Sequence, residues 1–216
     1  MRTNVQLQQD VLDELQYEPT VDSAEIGITT NDGIVTLTGK VKSLAEKWSA
    51  VRATERVGGV KAVVDEINVE LPFSYQRTDE DIARAVLTAL QWDVLVPEGH
   101  IKVHVEHGWI ILKGSVDYRY QQTAAESAIR SLAGVRGITN HIKVKPLEMP
   151  SEIKSRIESA MRRAAELDAQ EIQVDVRGAK VVLRGQVHSW SERHAAERAA
   201  WSAPGVTEVE DKLLIA

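Results

Sequence analysis

The chain has 216 residues, 43% of them hydrophobic, a formal net charge of −6 and no cysteine. This composition suits a folded chain with a packed core, and it excludes disulfides, thiolate catalysis and cysteine-ligated zinc. The acidic balance argues against generic attraction to nucleic acid or anionic lipid, which reward clustered Lys and Arg, and the longest apolar runs, such as residues 109–112, fall far short of the roughly 20 residues of a membrane-spanning helix.

In chain order, residues 5–17 place Leu7, Val11 and Leu15 four apart, the buried stripe of an amphipathic helix. Asp10, Asp13 and Glu14 interrupt it where a secretion signal needs an unbroken apolar stretch, so the expected location is cytoplasmic. A hairpin follows, turning at Asn31-Asp32-Gly33, and its second strand closes on Gly39 and Val41. Ser43-x-x-Glu46 reads as a capping box for a second helix, which buries Ala50, Ala53 and Val57 and ends at Gly59 in the left-handed conformation. A last strand alternates through Val63, Asp65 and Ile67.

The same series then recurs twice. Gly114 and Gly185 repeat the environment of Gly39, Gly134 and Gly205 stand where Gly59 stands, and Asn140 and Asp211 replace Asp65, all without insertion. The helix stripes become Ile82, Val86, Leu90 and Ile153, Ile157, Met161, with Thr78-Asp79 and Ser151-Glu152 as N-terminal caps. Strand alternation is clearest in Ile101, Val103 and Val105 against Lys102, His104 and Glu106, and Gly108 and Gly178 sit near the later hairpin turns. The second helices bury Ala125, Ala128, Leu132 and Ala196, Ala199, Ala203; Ser189-x-x-Glu192 repeats the box, while the second copy has Tyr118 at the cap position.

The copies span residues 7–67, 82–142 and 153–213, and Pro72, Pro146 and Pro150 fall between them. The expected domains are residues 1–71, 76–146 and 149–216. The expected fold class is α+β: three tandem α-β-β-α-β modules, each a three-stranded mixed sheet with two helices on one face. So small a module is marginally stable alone, so contacts between neighbours should help. Charge is uneven, with 7 basic and 12 acidic residues in 1–75, 9 and 8 in 76–146, and 10 and 12 in 147–216.

The ordered set of a helix, a hairpin closing on L-x-G-x-V, an alanine-rich helix, a Gly-Val pair (Gly59-Val60, Gly134-Val135, Gly205-Val206) and a strand with central Asp or Asn resembles the BON domain. The resemblance covers all three copies. It implies a non-enzymatic module that associates with phospholipid surfaces or a macromolecular partner in osmotic-stress, secretion and transport-associated proteins. One family branch resembles a potassium-binding sensor, so a monovalent cation or small ligand is an alternative, and a holdase-type chaperone is a third. Periplasmic members carry a secretion signal, which makes the periplasm the alternative location.

No catalytic set, cofactor site, metal site or nucleic-acid interface is expected. His100, His104 and His107 cluster in one copy only and diverge in direction, short of the three or four convergent ligands a metal needs. Ser189 beside His188 and His194 has a capping role and no oxyanion loop. Gly134-Val135-Arg136-Gly137 matches the G-x-x-G of KH modules but follows a helix C-terminus, which repels phosphate. Trp109, Ile111 and Trp201 are turned outward by their periodicity, to pack between modules or to form the candidate interaction surface; Trp48 and Trp190 read as staples over the core edge. Asp65, Asn140 and Asp211 are expected to accept hydrogen bonds from neighbouring turns.

Overall fold

A computed structural model describes residues 3–146, 153–164 and 171–215. The first copy folds as α1 (Asn4–Tyr17), β1 (Ile26–Asn31), β2 (Ile34–Val41), α2 (Leu44–Arg56) and β3 (Ala62–Val69). The second repeats the order as α3 (Asp79–Trp92), β4 (Ile101–Glu106), β5 (Trp109–Val116), α4 (Arg119–Ile129) and β6 (Gly137–Val144). The third forms α5 (Ile153–Arg163), β7 (Ile172–Arg177), β8 (Lys180–Val187), α6 (Trp190–Trp201) and β9 (Glu208–Ile215). The chain is three α-β-β-α-β modules of the α+β class.

Each module has its own sheet, in the orders β1-β2-β3, β4-β5-β6 and β7-β8-β9. The hairpins β1·β2, β4·β5 and β7·β8 are antiparallel. The pairs β2·β3 and β8·β9 are parallel, so each needs a crossover, and α2 and α6 supply it. Helices cover one sheet face: Val35 and Leu37 of β2 and Val181 and Leu183 of β8 are fully buried between their outward neighbours. In the third module Ile153, Ile157 and Met161 of α5 and Ala196 and Ala200 of α6 meet Ile172, Val181, Leu183 and Leu213 in one cluster. Modules one and two form most of one compact unit, and module three forms another that also takes in residues 116–119 and the end of β6 from residue 143. Within the first unit the Arg130 guanidinium stacks 3.8 Å from the Trp48 ring centroid, joining the two modules.

The glycine anchors have a steric cause. Gly39, Gly114 and Gly185 pair with Ile26, Ile101 and Ile172 at the open end of each hairpin. Their φ angles are 114°, 151° and 126°, and a Cβ there would collide with the carbonyl oxygen of Glu25, His100 or Glu171.

Three local expectations change. Gly59, Gly134 and Gly205 have φ of 95°, 91° and 88°, but the helices end earlier, at Arg56, Ile129 and Trp201. The glycines occupy the third position of separate turns closed by Val60 N to Val57 O (3.2 Å), Val135 N to Leu132 O (3.4 Å) and Val206 N to Ala203 O (3.3 Å). Pro204-Gly205 is the type II turn signature behind that geometry. The second helix also shifts its stripe: Ala128 and Ala199 are only partly buried, and Thr54, Ile129 and Ala200 are buried in all three copies. Thr54 is tolerated there because its hydroxyl donates to Ala50 O at 3.0 Å.

The capping boxes at Ser43 and Ser189 are half-formed. Each serine Oγ accepts the N–H of Glu46 or Glu192 at 3.1 Å. The glutamates, however, accept from Lys42 N and His188 N, one residue before the cap. Glu46 does so because its other oxygen takes Asp22 N at 3.0 Å, tying the loop before β1 to α2. A fully reciprocal box joins Thr3 and Gln6 at α1, and sequence reasoning overlooked it. Thr78 caps α3 as expected, accepting Asp81 N at 3.2 Å; Ser151, Glu152 and Pro150 lie outside the described residues.

Candidate interaction surface

The first residue of β5, Trp109, projects from the sheet face opposite buried Ile110 and Leu112 and is 48% exposed. Its ring fills the space a Cβ would need at Gly137 of β6, and its Nε1 donates to Thr139 Oγ1 at 2.8 Å. The indole is thus held flat against the sheet with its polar atom satisfied. Ile111, opposite His104 in the ladder, is half-buried beside it.

Trp201 departs from its outward expectation. It is half-buried and packs against the third module's core, with the Arg119 guanidinium of the same compact unit 4.6 Å from its ring centroid. At the last position of α6 the large ring folds back over the core edge, where it buries more apolar area than in water. Trp190 is half-buried, with Arg193 5.0 Å from its ring centroid.

The largest apolar exposure was missed by periodicity. Trp92, the last residue of α3, is 81% exposed, Val94 97% and Leu95 51%. They stand on a tight turn: Asp93 N donates to Ala89 O (3.2 Å), Asp93 Oδ1 accepts Leu95 N (2.9 Å), and Val96 N closes on Asp93 O (3.0 Å). The chain therefore orders three apolar projections within four residues instead of burying them. The available signal was a tryptophan at a helix end followed by Val-Leu-Val ahead of Pro97, outside any strand alternation. Tyr17 at the matching place in module one is 85% exposed, but Pro19 and Thr20 follow it.

The central Asp or Asn of each last strand has a structural task. Asp65, Asn140 and Asp211 accept the N–H of Ile67 (3.1 Å), Ile142 (3.1 Å) and Leu213 (2.8 Å). One position of the second helix completes the arrangement. Lys47 lies 3.1 Å from Asp65 and donates to Ile67 O, Gln122 Nε2 donates to Ile142 O at 2.6 Å, and Arg193 pairs with Asp211. Outward backbone groups at the sheet edge are thereby capped, which blocks edge-to-edge pairing. Nearby, burial and then the neighbouring Asp211 charge push the Glu197 carboxyl up.

Among the described residues no group of three His, Asp or Glu side chains is placed to hold a metal. His100 Nδ1 lies 2.8 Å from Glu98 O, His104 is 4.0 Å from Glu106, and His107 sits in the β4–β5 turn at φ 51°. Asp79 accepts the N–H groups of Gly108 and His107, each at 2.8 Å, and these bonds hold its carboxyl below the usual range.

The BON domain model matches residues 3–70, 78–146 and 151–216. The chain belongs to the BON-domain family. Osmotically-inducible protein Y of Escherichia coli (strain K12) is 32% identical over 129 residues, 58% of this chain and 64% of that protein. The match therefore spans just under two thirds of the relative's length. Two solved structures of CdsD, a structural protein of the Type III secretion system of Chlamydia trachomatis, also align. One, at 16% identity, covers 96% of this chain and 92% of that one with a TM-score of 0.26. The other, its C-terminal domain, at 14% identity, covers both chains fully with a TM-score of 0.27. At those TM-scores they carry no argument. Neither the BON domain nor the osmotically inducible relative is named for a catalytic activity.

Proposed function

We propose that this BON protein is a non-enzymatic peripheral membrane adaptor, and that its middle module docks on a phospholipid surface through the Trp92–Val94–Leu95 turn. The observation behind this reading is the ordered exposure of Trp92, Val94 and Leu95, three apolar side chains within four residues on one turn. Exposed apolar clusters of this kind mark interaction sites, and tryptophan favours the membrane–water interface. Inserting each side chain contributes about 1.5–3 kcal/mol, so attachment is reversible, in keeping with a described chain in which no helix is long and apolar enough to cross a membrane.

The charges beside the tip are acidic, Asp93 and Glu98, so the attraction is apolar and not coulombic. Trp109 and Ile111 are assigned to a second apolar surface of the same module, and Trp201 to packing against the third module's core and Arg119 of α4. Flotation with phosphatidylcholine vesicles tests the reading. Wild type should float at low and high salt alike, and the Trp92→Ala/Leu95→Ser double variant should stay at the bottom with an unchanged melting temperature. Failure of wild type to float with neutral and anionic vesicles would remove the proposal and leave a protein partner for the same tip.

A further inference from the structure

At the other end of α3, three backbone turns close on a cleft of about 320 Å³ lined by Gln76, Arg77, Asp79, His107, Gly108 and Arg136, the low end of the range for small-ligand sites. Two glycines let the turns approach. A Cβ at Gly108 would lie 2.7 Å from Gly134 O, and one at Gly134 would lie 2.8 Å from Arg77 Cβ and 2.9 Å from Ile82. The stem of Arg136 rests over Gly108, its Cγ 3.2 Å from that same imaginary Cβ. Among the described residues its guanidinium has neither a hydrogen bond nor an ion pair. Arg77 is held differently: its Nη1 donates to Ser74 O (2.9 Å) and Gln76 O (2.7 Å), fixing the arm and leaving Nε and Nη2 as donors.

Asp79 is the one acid in the cleft, and both its oxygens are taken by the N–H groups of His107 and Gly108. Two guanidinium groups against one engaged carboxylate leave the cleft net positive. Paired guanidinium forks match an oxyanion with several acceptor oxygens better than a lone carboxylate does. In module three Thr207 replaces Arg136 and Ala179 replaces Gly108, while in module one the Lys61 stem lies over Gly33 in the same way, its Cγ 2.9 Å from a Cβ there, so the stem packing recurs and the guanidinium at this position belongs to the middle module alone.

We infer that this cleft binds a phosphate group, with Arg77 and Arg136 as its two donors. The site lies at the opposite end of α3 from the Trp92 tip and does not depend on it. The phosphate can belong to a soluble phosphomonoester or to a lipid headgroup, and the two sources are separable.

The test is an amide-shift titration of the full chain with glycerol 3-phosphate and with inorganic phosphate, alongside flotation on phosphatidylcholine vesicles with and without phosphatidic acid. Saturable shifts are expected at His107, Gly108 and Gly134. Arg136→Gln should weaken binding by at least about ten-fold without lowering the melting temperature, and Lys102→Gln, the same charge loss on β4, should leave it unchanged. Shifts with the soluble phosphates alone assign a soluble ligand; an added gain on phosphatidic acid that Arg136→Gln abolishes assigns a headgroup. Absence of cleft shifts with every probe, or equal weakening by Arg136→Gln and Lys102→Gln, overturns the inference. Trp92→Ala/Leu95→Ser should bind glycerol 3-phosphate normally, so this result and the vesicle result fail independently.

Discussion

The middle and third modules share one backbone plan and fill the same repeat positions with different chemistry. Where the middle module lays Trp109 over its outer sheet face, the third has Lys180, held 2.7 Å from both Glu208 and Glu210. Where the third ties its last strand to α6 with Arg193 and Asp211, the middle uses Gln122 and Asn140. The backbone task is constant, and ion pairs or amides perform it. What the middle module does with that latitude is present apolar groups to the outside.

The sharpest way to break the comparison is Asp211→Ala. It strands a largely buried Arg193 and leaves Leu213 N–H unpaired, for an expected loss of about 3 kcal/mol in denaturant unfolding. Asp211→Asn keeps the Leu213 bond and should cost about 1 kcal/mol. Asn140→Ala loses the acceptor of Ile142 N–H and the Asn140 Nδ2 bonds to Gln122 O (3.2 Å) and the Glu126 carboxylate (3.1 Å), but strands no buried cation, and should cost about 2 kcal/mol. The double exchange Lys47→Gln/Asp65→Asn, which transplants the middle module's pair into the first, should fall within about 1 kcal/mol of wild type, because replacing a whole pair leaves no orphan.

Smaller effects follow pH. The Glu197 carboxyl is raised by burial, so its contribution is fully present below its unfolded pKa and is lost as pH rises through the folded one. Glu197→Gln should therefore raise the melting temperature at about pH 7 and change nothing near about pH 4. Glu210 runs the other way: hydrogen bonds from Lys180 and then Lys212 lower its pKa from 4.5 to about 2. Its contribution is present above about 4.5 and fades as pH falls through about 2. Glu210→Gln should flatten that acid slope slightly.

How far the sequence was legible depends on whether a feature repeats. The helix stripes, hairpins, glycine anchors and three-fold plan were readable because each is a steric or hydrophobic demand stated three times. Helix ends were less so: the post-helix glycines sit three to five residues beyond a boundary that only the turn bonds reveal. Glu46 reached Lys42 and Asp22 through tertiary contacts that the local box motif does not encode. Trp201 was misjudged because angular position around a helix ignores how a ring at the last turn can fold back. Trp92, Val94 and Leu95 escaped because they occur once, in a loop, where neither period applies.

The central claim is that the middle module's turn enters a lipid interface while the third module does not. The chain has no cysteine, so Val94→Cys and, separately, Lys180→Cys can each carry one environment-sensitive fluorophore. On phosphatidylcholine vesicles the label at residue 94 should shift to the blue and become accessible to quenchers buried in the acyl chains, while the label at residue 180 keeps its aqueous spectrum. A label at residue 94 that stays aqueous while the chain floats with the vesicles, or a shift at residue 180 instead, would contradict the account.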